Sequence, residues 1–67
     1  MTNYKNLKVY ILAEIKGVKV WQYSGKFRLD TTYFESYANN VFLKRSNTHG
    51  VRFVDYKGAV VYEKEVR

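Results

Sequence analysis

Few residues in this 67-residue chain have side chains suited to catalysis, and they are scattered. His49 is the only histidine, in a loop-like Asn47-Thr48-His49-Gly50 stretch. Cysteine is absent, which removes thiol nucleophiles, disulfides and Cys-based zinc sites together. Ser24, Ser36 and Ser46 have no nucleophile motif around them. Glu63 and Glu65 are two apart and share a strand face, but with Lys64 and Arg67 they read as a solvated strand end. A metal centre needs three or four ligands, more than one histidine and dispersed acids supply. Gly17, Gly25, Gly50 and Gly58 are isolated, so no glycine-rich loop cradles a phosphate. The reading is a protein that is not an enzyme and has no cofactor and no metal.

What remains is positive charge and aromatic rings. Twelve Lys and Arg against six Asp and Glu give a net charge of +6. The excess is spread along the chain: six basic against two acidic residues in 1–34, and six against four in 35–67. Such a field favours a polyanion, an anionic surface or an acidic protein. Two basic groups stand out, Lys16, Lys19, Lys26 and Arg28 around a first hairpin, and Lys44, Arg45 and Arg52 around a helix end. Basic side chains neutralise phosphates, and Tyr10, Trp21 and Tyr23 between them would stack on bases if exposed. A basic hairpin could also enter the major groove of DNA. The first expectation is therefore a small basic accessory protein that binds nucleic acid, DNA foremost. The alternative is a protein-interaction module, an inhibitor or adaptor acting on a host protein. In its size, its lack of Cys and its wealth of Tyr and Lys, the chain resembles accessory proteins of phages, archaeal viruses and mobile elements. Its anchors would be Tyr10, Leu12, Val20, Trp21 and Tyr23 on an uncovered sheet face or an edge strand.

These side chains need elements to hold them. Leu7 to Ile15 alternates with period two and reads as a strand, with Val18–Ser24 as its partner. Gly25 reads as a break, and Lys26–Leu29 as a short third strand. Thr32, with Glu35 three residues on, forms a capping box that opens a helix running to about Arg45. Its apolar stripe is Phe34, Tyr37, Ala38, Val41 and Phe42. Val51–Asp55 and Ala59–Glu65 form a second hairpin. The expected fold is one α+β domain over 1–67, an antiparallel sheet of two hairpins in the order β-β-(β)-α-β-β packed on one amphipathic helix. That order is similar to the arm-binding domains of phage-type integrases, a resemblance of elements with no shared sequence motif.

Turn chemistry sets where Trp21 points, because a one-residue slip turns a strand over. The two hairpins are alike in sequence, AEIKGVKVWQ (13–22) and VDYKGAVVYE (54–63). If Lys16-Gly17 is a type I′ turn, Leu12 faces Trp21, Tyr10 faces Tyr23, and Glu14 faces Lys19. Trp21 and Tyr23 then lie opposite the aliphatic face. If Glu14 to Gly17 is a type I turn with a glycine bulge, Trp21 joins Val9, Ile11 and Ala13 in the core. Lys dislikes the positive φ of type I′, and acid-first, Gly-last suits type I, so the bulged turn is favoured, with Asp55 to Gly58 repeating it. In either register one helix covers one face and leaves a partly apolar, partly basic face for nucleic acid, a host protein or a second copy in a homodimer. The longest apolar run, Val9–Ala13, is too short to cross a membrane or form a signal core, so an intracellular, cytoplasmic protein is the default.

Overall fold

The computed structural model describes residues 4–45 and 47–66; Ser46 and Arg67, named above, lie outside them. Four antiparallel strands form one sheet: β1 (Tyr4–Ile15), β2 (Val18–Asp30), β3 (Thr48–Val54) and β4 (Val60–Glu65), in spatial order β2-β1-β3-β4. A short helical segment between β2 and β3 packs on one face, so the α+β architecture follows the sequence reading.

β1 is a regular strand at the centre. Its odd-numbered Leu7, Val9 and Ile11 face the helical segment with Val51 and Phe53 of β3. The core is ring-rich. Phe53 lies 5.3 Å from Phe34, 6.1 Å from Phe42 and 5.4 Å from Tyr62 between ring centroids, and Phe27 lies 5.7 Å from Phe42. Each such pair adds about 0.5–1.5 kcal/mol beyond the area it buries, which matters in a domain this small.

The helical segment departs from expectation. It is a 3-10 turn (Thr31–Tyr33), one α turn (Phe34–Tyr37) and a π-helical stretch (Ala38–Phe42), not an α-helix to Arg45. Asn39, Asn40 and Val41 are poor helix formers, and the piece is too short to be helical without packing. The cap is Asp30, whose carboxylate accepts from the Thr32 N–H at 2.9 Å, rather than a Thr32–Glu35 box. The predicted stripe holds: Phe34, Ala38 and Phe42 are buried, with Tyr37 and Val41 packed beside them.

Gly25 does not break the second strand. Tyr10 pairs with Tyr23 and Val9 with Gly25, so Ser24 is an extra residue, and the predicted third strand is the continuation of β2. This bulge reverses the alternation. Trp21 and Tyr23 lie on the face away from the helical segment, whereas Phe27 and Leu29, four or more residues on with the same parity, join the core. His49 is likewise an extra residue within β3, between the Ala13–Thr48 and Leu12–Gly50 pairs, rather than part of a loop. Gly50 is needed there, since a Cβ would meet the Lys64 carbonyl at 3.0 Å and Leu12 Cβ at 3.3 Å.

The two similar hairpins turn differently. Lys16 (φ 53°) and Gly17 (φ 83°) form the two-residue type I′ turn, and Leu12 pairs with Trp21. The bulged register favoured above is thus corrected for the first hairpin. It is the second hairpin that uses it: Gly58 has φ 87°, and its N–H donates to the Asp55 carbonyl at 3.0 Å. The Asp55 carboxylate accepts from the Lys57 and Ala59 N–H groups, both at 2.9 Å. Glu14, one methylene longer, makes no such bonds among the described residues and pairs across the sheet with Lys19.

Two predictions follow from these local features. Lys16→Asn supplies a residue that accepts positive φ, and should stabilise the fold by about 0.5–1 kcal/mol of the roughly 1–2 kcal/mol an L-residue spends there. The check is the urea midpoint at unchanged m-value; no gain would place Lys16 at negative φ. Tyr62 has its phenol pushed above the ordinary value of 10.0, first by burial against Phe34 and Phe53 and then by the Glu35 carboxylate. Its proton leaves the unfolded chain at a lower pH than the folded one. This contribution is therefore complete below about pH 10 and is lost as pH rises through the higher folded value. Unfolding at pH 9 and 11 should show Tyr62→Phe losing less stability than the parent.

Candidate binding face

Opposite the helical segment the sheet is bare. β1 presents Tyr4, Asn6, Lys8, Tyr10, Leu12 and Glu14 there, by strict alternation from its buried odd-numbered residues. Across from them stand Arg28 (opposite Asn6), Lys26 (Lys8), Tyr23 (Tyr10), Trp21 (Leu12) and Lys19 (Glu14). β3 adds Arg52 opposite Tyr10 and Val54 opposite Lys8.

Two clusters divide this face. In the first, Arg52 lies over the Trp21 ring, its guanidinium carbon 4.0 Å from the ring centroid, and its Nε donates to the Glu63 carboxylate across to β4. Trp21 is half-buried, and Leu12, opposite it on β1, is only 4 % exposed. Tyr10 and Tyr23 meet edge to face at 5.6 Å, and Tyr23 remains 54 % exposed. The second cluster is basic. Lys8 and Lys26 are directly opposed on neighbouring strands, with Arg28 two pairs further along on the same face, resting on the Tyr4 ring at 5.4 Å. Among the described residues none of these three cations has an ion-pair partner. Like charges directly opposite across a sheet are destabilising, so the pair Lys8–Lys26 favours an incoming anion.

Of the residues singled out from the sequence, the fold brings together Lys19, Lys26, Arg28 and Arg52 with Tyr10, Trp21 and Tyr23. Lys16 sits in the turn at the tip of the same hairpin. Lys44 and Arg45 follow the helical segment, where Arg45 lies 5.8 Å from the Phe42 ring, and so stand apart from the bare face. Val20 pairs with Ala13 and points to the other side, and Leu12 is buried beneath the cluster, so neither is a contact residue of this surface. Sequence reading left out Lys8, which is the hub of the basic cluster. Its signal was its even-numbered place in β1, in phase with Tyr10.

Removing Arg52 should loosen the aromatic cluster. Arg52→Ala is expected to cost about 1–2 kcal/mol, since it takes away a stacked cation and a partly exposed ion pair, and to shift Trp21 emission to the red. Glu63→Gln should leave the emission near that of the parent, because the stack survives; equal red shifts in both variants would mean that Arg52 is held by Glu63 alone. No helix among the described residues is long and apolar enough to cross a membrane, and no group of three His, Cys, Asp or Glu side chains comes together to hold a metal. No protein-family model, curated protein or solved structure matches the chain.

Proposed function

We propose that this protein binds nucleic acid through the bare face of its sheet. The observation that carries the reading is the trio Lys8, Lys26 and Arg28, free of acidic partners among the described residues and flanked on that face by Tyr10, Tyr23 and Trp21. Phosphates relieve the repulsion of the opposed lysines, and their release of counterions drives binding. The rings add contacts that do not depend on sequence. Of the nearby acids, Glu14 is at the hairpin tip, Glu63 is held by Arg52, and Glu65 stands opposite Gly50. Asp55, which lines a depression with Lys8, has its carboxylate engaged by the N–H groups of Lys57 and Ala59, so the end with Lys26 and Arg28 is left positive.

The test is affinity for a labelled DNA oligonucleotide as a function of salt. Affinity should fall steeply, and Lys8→Ala, Lys26→Ala and Arg28→Ala should each flatten the log–log slope by about 0.7–0.9 per lost phosphate contact. The triple variant should bind no better than background. Lys44→Ala with Arg45→Ala, away from this face, should change little. A salt-independent affinity, or a triple variant that binds as the parent does, would remove the reading.

A second reading has its own surface. Past the helical segment the β1–β2 hairpin carries Ile15, Val18 and Val20 on the opposite side, 43 %, 60 % and 36 % exposed. Those aliphatics suit a protein partner, and such an association would persist at high salt.

A further inference from the structure

Two shallow depressions meet on the bare face, and they share one residue. The smaller, about 280 Å³, is lined by Asn6, Leu7, Lys8, Lys26 and Tyr56. The larger, about 380 Å³, lies against Lys8, Tyr10, Trp21, Arg52, Val54 and Val60, with Asp55 and Gly58 of the second turn closing one side. Their chemistries differ. The first offers two ammonium groups from neighbouring strands and an amide, the donor set for a phosphate. The second offers a phenol ring, an indole already stacked by a guanidinium, two valines, and Asp55, whose carboxylate is engaged by its own turn's N–H groups, which suits a flat, largely apolar body with a polar rim. Lys8 lines both depressions, and Tyr10 is two residues, about 6.6–6.8 Å of strand, further along β1. That is a short reach between an anion and a planar ring, as within one nucleotide.

We propose that this face takes single-stranded nucleic acid, with an unpaired base in the depression beside Tyr10 and its phosphate between Lys8 and Lys26. The inference rests on the function proposed above and narrows its ligand. A duplex hides the flat faces of its bases in the stack and presents only edges and phosphates, which would leave Tyr10 and the exposed Tyr23 without a role. The stacked Arg52 also presents a flat wall on which a base can lie.

The experiment uses the full chain at low salt and a fluorescently labelled dT10. Unlabelled dT10, rU10, a G·C-rich ten-base-pair duplex, an abasic strand with the same phosphates and dTMP serve as competitors. The single strands are expected to compete about tenfold or more better than the duplex and the abasic strand, the scale of one or two stacked bases. Whichever of dT10 and rU10 competes better identifies the sugar preferred, and either supports the inference. Tyr23→Ala, an exposed position, should weaken dT10 about tenfold and leave the abasic strand unaffected. Tyr10→Phe should bind as the parent and Tyr10→Leu should not, which separates loss of the ring's face from loss of the hydroxyl; circular dichroism confirms the fold. Equal competition by the duplex or the abasic strand would overturn the base-binding depression while leaving nucleic-acid binding in place. Competition by dTMP as strong as by dT10 would overturn the strand in favour of a mononucleotide site. No salt-sensitive binding of any of these would overturn both proposals.

Discussion

Everything on the bare face depends on a single inserted residue. Ser24 has no partner on β1, and its presence changes which side of β2 is inside. Before it, Trp21 and Tyr23 point away from the helical segment; after it, Phe27 and Leu29 point toward it, and Lys26 and Arg28 take over the outer side. A strand with unbroken alternation could not place both pairs of apolar residues usefully. It would put Phe27 and Leu29 beside Trp21 and Tyr23, leaving the far end of the core unfilled. The bulge lets one 13-residue strand fill the core at one end and line a contact surface at the other.

The two faces are then built on different physics. The covered side is held by rings and aliphatics: Phe53 in edge contact with both Phe34 and Phe42, with Leu7, Val9 and Val51 fully out of water. The helical segment, too irregular to hold itself, is fixed by those rings and by Asp30 at its start. On the other side, apolar area is screened by polar side chains laid over it. Arg52 covers Trp21, Glu63 holds Arg52, and Leu12, opposite Trp21, is nearly out of water. A cation stacked on indole keeps a large ring in a soluble face without a second layer of structure.

The sequence disclosed the elements better than their phase. Alternation in β1, the apolar stripe from Phe34 to Phe42 and the Asp55-Tyr56-Lys57-Gly58 turn were all legible because each is a local preference of its own residues. Bulges are not. Gly25 reads as a terminator when it is the partner of Val9 next to an insertion, and His49 reads as loop when it is the spare residue of β3. The first turn departs from its local preference because Lys16 bears the positive φ that Lys resists. Its acid is Glu14 rather than an aspartate: the Asp55 carboxylate reaches two N–H groups of its own turn, which selects type I in the second hairpin alone. Where the side chains meet was therefore partly hidden. Tyr10, Trp21, Tyr23, Lys26, Arg28 and Arg52 could be named, but that they share one side with Lys8 follows only from the phase changes. Lys44 and Arg45, close in sequence to Arg52, stand apart because the chain turns between them and β3.

The opposed Lys8 and Lys26 also make the fold responsive to the ions around it. The unfolded chain does not hold two ammonium groups side by side, so their repulsion is a cost borne by the native state alone. Any multivalent anion that bridges them binds the folded chain and not the unfolded one, and by mass action raises the melting temperature. Phosphate, sulfate and polyphosphate would act in rising order of charge at neutral pH, so the thermal stability of this small sheet reports the anion content of its buffer.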